Sequence, residues 1–359
     1  MILSPSHLRE VLSEILQGRQ LRRKDLLALL DLEQAGDIEH LFETARQLRR
    51  KHFGQKIFTY GFAYTSTFCR NNCRFCYFRQ TNELAQRYRK KEADVLNIAR
   101  VLSREGVHLI DVTMGEDPLL HERHNGVPDK LVQLIKDIRT QTGLPVMVSP
   151  GVISDVLLEG LANAGASWYA CYQETHNPAL FARLRSGQNY EERLAKKRMA
   201  KKMGFLIEEG ILCGVGETDA DIADSIQVMR NLDADQVRVM KFIPQPGTPM
   251  EKKAEADSLQ ECLIIAVLRL SFPDRLIPAS LDVDGLAGLK MRLDAGANVI
   301  TSLVPPDYGL AGVAHPELDI ENAKRTMAGV APVLKSAGLH LAEQADYLQW
   351  IKTRQQASS

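Results

Sequence analysis

The chain has 359 residues, with 45 Lys+Arg against 45 Asp+Glu, 45% hydrophobic residues and 6% aromatics. That length suffices for one large core or two ordinary domains, and zero formal net charge argues against the basic field that nucleic-acid binders and electrostatic membrane binders need. The longest apolar run, Cys262 to Leu268, falls far short of the ~20 residues of a membrane span, the opening residues lack a secretory layout, and 6 Cys are too few for a disulfide scaffold; a reducing cytoplasm is expected, with thiols free or metal-bound.

The first 56 residues read as helices. Ser4 as N-cap and Pro5 at the first helical position open a helix to about Gln17. A second covers about 24–32, and a third runs from about Ile38 to His52 with Gly54 near its end. The basic run Arg46 to Lys51 reads as a solvated face that complements the helix dipole. From Ile57 the pattern changes: apolar runs at 57–66, 108–115, 145–151, 167–175, 206–216, 236–244, 275–282 and 298–306 alternate with helix-period stretches. Gly106, Gly143, Gly165, Gly204 and Gly296 each stand between a helix and the next strand, as in βαβ units.

Eight strands with helical crossovers over about 250 residues predict an α/β fold, a (β/α)8 TIM-type barrel. Near-continuous apolar strands suit burial on both faces. An open doubly wound sheet would want a Gly-rich phosphate fingerprint after its first strand, and none is present. The expected organisation is an N-terminal helical extension at 1–56, a barrel at 57–315 and C-terminal helices packed on the barrel at 316–359. The last helix, Gln344 to Arg354, carries Tyr347 and Trp350 and should cover the barrel exterior or bottom, leaving 355–359 to fray.

In such a barrel the chemistry sits at the C-terminal ends of the strands. After the first strand come Cys69, Cys73 and Cys76, followed by Tyr77. Structural zinc wants four ligands, and no fourth Cys or His lies nearby. Three thiolates can instead hold three irons of a [4Fe–4S] cluster and leave the fourth open to a non-protein ligand. Cys171 and Cys213 inside strands, and Cys262 in a helix, read as small core hydrophobes. Asp111 lies in the second strand and Arg238 in the sixth; Ser280 and Asp282, two apart on the seventh, share a face. An Arg and a Ser suit a carboxylate, and two Asp suit two ammonium groups, which together describe a diamino acid. The plainer alternative is that Asp111 and Arg238 simply pair. His121 and His124 read as a solvated loop, His108 as a satisfied core histidine, Pro305-Pro306 as a stiff turn, and Met240 and Phe242 as barrel core.

Cys-x3-Cys-x2-Cys followed by an aromatic resembles the cysteine motif of the radical S-adenosylmethionine (SAM) enzymes. The resemblance implies one [4Fe–4S] cluster on Cys69, Cys73 and Cys76, and SAM contacts from Tyr77, Gly115, Glu116, Ser149, Glu174 and Arg193, with Gly214 to Glu217 as an adenine-side turn. Met114 stands where the family's Gly-Gly-Glu motif has its first Gly. Within these enzymes, TSTFCRNNCRFCYF (65–78), TMGEDP (113–118), YQET (172–175), RVMKFIPQPGTP (238–249), RLIPASLD (275–282) and LDAGANVITSLVPPD (293–307) resemble the methylornithine synthase family, across about 53–312.

That resemblance implies isomerisation of L-lysine to (2R,3R)-3-methylornithine by Cα–Cβ fragmentation and recombination, the first step of pyrrolysine biosynthesis. The adenosyl radical is the reagent, so no side chain is assigned as catalyst. Arg238 and Ser280 would take the α-carboxylate, Asp282 the α-amine and Asp111 the terminal amine. The implied partners are lysine, SAM and an electron donor such as flavodoxin or ferredoxin, with no nucleic acid and no membrane. The alternatives are a radical SAM enzyme acting on another small amino acid, and a non-catalytic iron–sulfur or SAM-binding protein.

Overall fold

The strands form first-to-last a ring. In the computed structural model, which describes residues 5–122, 126–312, 314 and 325–357, β1 (Lys56–Ser66), β2 (Leu109–Met114), β3 (Val146–Ser149), β4 (Trp168–Ala170), β5 (Leu206–Cys213), β6 (Gln236–Lys241), β7 (Pro278–Ser280) and β8 (Val299–Leu303) lie parallel. Their order is β6-β5-β4-β3-β2-β1-β8-β7. The ring closes through a single bridge, Gln236 to Leu276, where the Val237 N–H donates to the Leu276 carbonyl at 3.0 Å and the Leu276 N–H to the Asp235 carbonyl at 3.2 Å. Pro278 brings no N–H to this seam, so β6 and β7 are joined at their feet only. The result is the expected TIM-type barrel.

Helices α4 (Glu92–Arg104), α5 (Val127–Thr142), α6 (Asp155–Asn163), α7 (Pro178–Leu184), α8 (Tyr190–Lys202), α9 (Asp219–Asn231), α10 (Ser258–Ser271) and α11 (Gly285–Asp294) supply the crossovers. The five glycines expected at helix ends all take positive φ. Three helices precede the barrel: α1 (Pro5–Leu16), α2 (Arg23–Leu30) and α3 (Ala35–Phe53). They explain the apolar run in α10, whose residues Glu261 to Leu270 are all buried. A helix sandwiched between β6 inside and α2 and α3 outside has no face left for water.

After the barrel come α12 (Met327–Ser336), a two-residue strand β9 (His340–Leu341) that pairs with the start of β1, and α13 (Gln344–Ala357). The last helix closes the foot of the barrel. Its Tyr347 packs on Phe58 at 5.2 Å and His108 at 5.8 Å, and Trp350 stacks on Trp168 at 5.9 Å. His108 is the satisfied histidine expected: the Thr59 N–H donates to Nδ1 at 3.0 Å and Nε2 meets the Ala342 carbonyl at 2.9 Å.

Three expectations need correction. The fourth strand stops at Ala170 because the chain leaves the ladder toward Glu174, which has left-handed backbone. The seventh shrinks to Pro278–Ser280, so Cys171 and Asp282 both lie beyond their strands. The last helix continues through Gln355 to Ala357 instead of fraying. Ser4, His124, the 315/316 boundary and Ser358–Ser359 lie outside the described residues.

Candidate active site

A cavity of about 1250 Å³, counting its mouth, opens at the C-terminal ends of the strands. Cys69, Cys73, Cys76, Asp111, Gly115, Glu116, Ser149, Glu174, Arg193, Arg238 and Asp282 all line it. Tyr77 and Ser280 do not. The Tyr77 hydroxyl donates to the Leu84 carbonyl at 2.6 Å and so braces the cysteine loop from behind; Phe75 and Phe78 line the wall in its place.

The cysteine loop forms one wall. Cys73 Sγ receives Gln188 Nε2 at 3.1 Å and Arg185 Nη1 at 3.4 Å. Burial pushes the Cys69 thiol up to about 11 and the Cys76 thiol upward as well. Among the described residues no group of three or more His, Cys, Asp or Glu is arranged to hold a metal ion. Thiols spread around a cavity, with N–H donors aimed at one sulfur, suit a polynuclear iron–sulfur cluster, whose thiolate and sulfide charge those donors offset.

Beside this wall the backbone is packed too tightly for side chains. A Cβ on Gly115 would stand 2.3 Å from the Phe68 carbonyl oxygen, and one on Gly151 (φ +75°) would stand 2.3 Å from Glu116 Oε2. Glu116 is held by Arg70 Nε at 2.6 Å, by the Val152 N–H at 3.0 Å and by Arg193 Nη1 at 3.6 Å. Burial disfavours its charge, but Arg193, the Val152 N–H and Arg70 outweigh burial and hold the carboxyl below its ordinary value.

Glu174 and Arg193, expected to act together, share the cavity but not a bond. Arg185 takes Glu174 at 2.5 Å, while Arg193 Nε donates to the Tyr172 carbonyl at 2.7 Å. Glu174 has φ +66°, a conformation costing an L-residue about 1–2 kcal/mol. It is fastened to β5 by its N–H on the Gly210 carbonyl at 3.0 Å and by the Leu212 N–H on its own carbonyl at 2.9 Å. Arg185 escaped the sequence reading because the stretch 183–202 is dense in cations and no spacing singles it out. The turn at Gly214–Glu217 is closed on itself: the Glu217 carboxylate accepts the N–H groups of Gly214 at 2.6 Å, Val215 at 2.8 Å and Gly216 at 3.0 Å.

Deeper in the barrel lie the charged groups. Asp111 accepts from the Ser149 hydroxyl at 2.8 Å, and burial, only partly opposed by that hydrogen bond, pushes its carboxyl up to about 8. Arg238 does not pair with it. Arg238 Nε donates to Glu208 at 2.8 Å, and the same carboxylate accepts the hydroxyls of Tyr172 at 2.8 Å and Tyr60 at 3.1 Å. Asp282 accepts from Ser302 at 2.8 Å, Tyr64 at 3.4 Å and Arg325 Nη1 at 2.5 Å. Ser302, with φ +66°, sits at an irregularity in the β1–β8 register that turns its hydroxyl toward Asp282. Ser280 supports Asp282 from below, its oxygen 3.3 Å from the Asp282 N–H and 3.1 Å from Ser302. Glu208 and Arg325 were absent from the sequence reading. Glu208 had a signal, since two adjacent carboxylates inside a buried strand each require a partner. Arg325 meets its partner 43 positions away and had none.

Comparison with known proteins agrees with this architecture. Residues 63–229 match the radical SAM superfamily. The 3-methylornithine synthase of Methanosarcina acetivorans is 42% identical over 93% of this chain and 94% of its own. The chain belongs to the methylornithine synthase family of radical SAM enzymes. A crystal structure of methylornithine synthase superposes with a TM-score of 0.89 at 40% identity, covering 95% of this chain and 99% of that one. The hydrogenase maturase subunit HydE of Thermotoga maritima is more distant, 31% identical over 81% of this chain and 82% of its own. As a family member this chain is an enzyme whose cofactors are a [4Fe–4S] cluster and SAM.

Proposed function

We propose that this enzyme isomerises L-lysine to (2R,3R)-3-methylornithine, with residues 57–315 as the catalytic unit and 1–56 and 316–359 as helical flanks. The observation that carries the reading is one cavity with three thiols on its rim and Asp111, Arg238 and Asp282 at its base. Cys69, Cys73 and Cys76 would hold the cluster, which with SAM would supply the hydrogen-abstracting radical chemistry. Gly115 and Gly151 let Phe68 and Glu116 pack directly against the backbone beside the cysteine loop, and Glu116, Ser149, Glu174 and Arg193 provide the polar contacts for SAM.

The substrate's two ammonium groups and one carboxylate need buried partners, because an unpaired buried charge is very costly. Asp282 takes the α-ammonium, Asp111 the terminal ammonium and Arg238 the carboxylate, with Ser280 holding Asp282 in place. The reaction breaks the Cα–Cβ bond and reconnects the amino-acid fragment at C4. The hydrogen taken from C4 is returned to the former Cβ, which becomes the methyl branch, so product and substrate are isomers. Both fragments must stay in register between the two events, and a walled cavity with a fixed partner for each end supplies that. Among the described residues no helix is long and apolar enough to cross a membrane; we place the enzyme in a reducing cytoplasm with a flavodoxin- or ferredoxin-class electron donor.

The test is anaerobic turnover of the reconstituted enzyme with reductant, SAM and lysine deuterated at C4, analysed by chromatography and mass spectrometry. A product of lysine's mass that co-elutes with 3-methylornithine is the expected result. Deuterium in deoxyadenosine without that isomer would overturn the product assignment. SAM cleavage indifferent to lysine would overturn the substrate.

A further inference from the structure

The cysteine loop leaves β1 at Ser66, and the chain that follows it returns to the same root. Ser66 bridges Arg89 in antiparallel sense, and the Thr67 N–H donates to the Tyr88 carbonyl at 3.1 Å. The Thr67 hydroxyl donates to the Gln86 carbonyl at 2.7 Å and accepts the Tyr88 N–H at 2.9 Å. Arg87 stands in the middle of this return. Its Nη1 donates to the carbonyls of Thr67 and of Phe78, the latter at 2.8 Å. Its Nη2 donates to those of Arg79 at 2.5 Å and Asn82 at 3.3 Å. Thr67 lies two residues before Cys69, and Phe78 two residues after Cys76. One guanidinium therefore fastens the entry of the loop to its exit.

The charge of Arg87 is spent differently from that of its neighbours. Arg70, Arg89 and Arg185 also border the loop, and each meets a carboxylate: Glu116 at 2.6 Å, Asp117 at 2.7 Å and Glu174 at 2.5 Å. The four acceptors of Arg87 are carbonyls, which hold the guanidinium in place without neutralising it. Cys69 and Cys76 are near enough for their thiolates to favour its charged form, and that attraction is mutual. Arg87 does not line the cavity, so it reaches the chemistry through the loop and through its field rather than by touching SAM or substrate.

We propose that Arg87 is a positioning residue for the iron–sulfur cluster, with two separable effects: its fork locks the cysteine loop shut, and its charge eases reduction of the cluster. Reduction brings one electron from the one-electron donor and adds one negative charge to a cluster that already carries thiolates and sulfides. A fixed cation beside two of those thiolates stabilises the reduced form more than the oxidised one and so raises the potential. A lysine at this position keeps the charge but cannot span carbonyls on both ends of the loop, because it lacks the planar fork. The proposal rests on the cluster that the family carries and not on the identity of the substrate, so it stands or falls apart from the lysine reading.

The experiment measures two properties of the reconstituted protein under anaerobic conditions, without substrate turnover. One is the rate of iron release to a chelator; the other is the cluster potential, from a redox titration followed by electron paramagnetic resonance. R87M should release iron about tenfold faster or more, because a hydrogen bond from a charged group is worth at least that factor, and its potential should be more negative. R87K should release iron faster than wild type while keeping the wild-type potential. A purely structural side chain would change iron release in both variants and the potential in neither. Wild-type iron release in R87M, or an unchanged potential, overturns the proposal. If R87M cannot be loaded with cluster, R87K decides: faster release at the wild-type potential supports the proposal, and any other result overturns it.

Discussion

Asp111 shows how burial turns a carboxyl into a pH-dependent binding group. With its carboxyl pushed up to about 8, it is protonated at pH 7 before substrate arrives. An ammonium requires the carboxylate, so binding releases that proton. Below pH 8 the KM for lysine should therefore fall about tenfold per unit as pH rises, and Asp111→Asn should flatten this dependence; initial rates against pH check both. Asp282→Ala should abolish lysine turnover while the iron–sulfur absorbance of the reconstituted protein persists, and retention of near-normal turnover would reverse the assignment of the α-ammonium. Gly115→Ala forces a methyl against the Phe68 carbonyl, 2.3 Å away, and that backbone also carries Cys69. It should lower both iron content and SAM binding. The cysteine triplet was legible from its local spacing, whereas the acids at strand ends were assigned through the family resemblance, since spacing alone left Asp111 free to pair with Arg238. Arg185, Glu208 and Arg325 were hidden because their roles arise only through space, from partners on other elements.

At the scale of the element, β5 shows what alternation does with two adjacent acids. Glu208 points into the barrel toward Arg238, and its neighbour Glu209 points out toward α8, where Lys197 meets it and also donates to Gln173 at 2.9 Å. Glu209 accepts the N–H groups of Gln173 and Gly210, both at 2.9 Å, so this outward pair positions the segment that carries Glu174. Lys197→Met leaves a fully buried carboxylate without its cation, a loss of about 3–5 kcal/mol. Thermal melting should show a large fall in Tm, with most of it recovered in the double variant Lys197→Met with Glu209→Gln. The three N-terminal helices and the last one were legible to within a few residues because their apolar period and end signals are local. The ends of β4 and β7 were not, since an apolar run does not reveal that Glu174 turns left-handed or that Pro278 withholds an N–H.

At the scale of the whole molecule, stability and chemistry occupy opposite ends of the barrel. Tyr347 of α13 is 2% exposed at the foot, between Phe58 and His108. Its replacement by Ala should cost about 3–5 kcal/mol, read as a lower Tm, while the KM for lysine stays unchanged at temperatures where the variant is folded. A rise in KM would show that the two ends are coupled. The barrel itself was legible from eight apolar runs at regular spacing. Its seam was not, because ring closure depends on a single bridge between β6 and the residues before β7. Seven joints of the ring are ladders, and the eighth is a slit fastened at the bottom. Arg238 stands on one lip of that slit and Asp282 just above the other, and together they grip the amino-acid half of the proposed substrate. Asp111, on β2 with a ladder on each side, is a fixed post for the remaining half. A molecule that is cut and then rejoined at a different carbon must change its span while it is held. Each lip of the slit keeps a ladder on its far side, β5–β6 under Arg238 and β7–β8 beneath Asp282, so the grips stay fixed and the change of span falls to the two fragments moving between them.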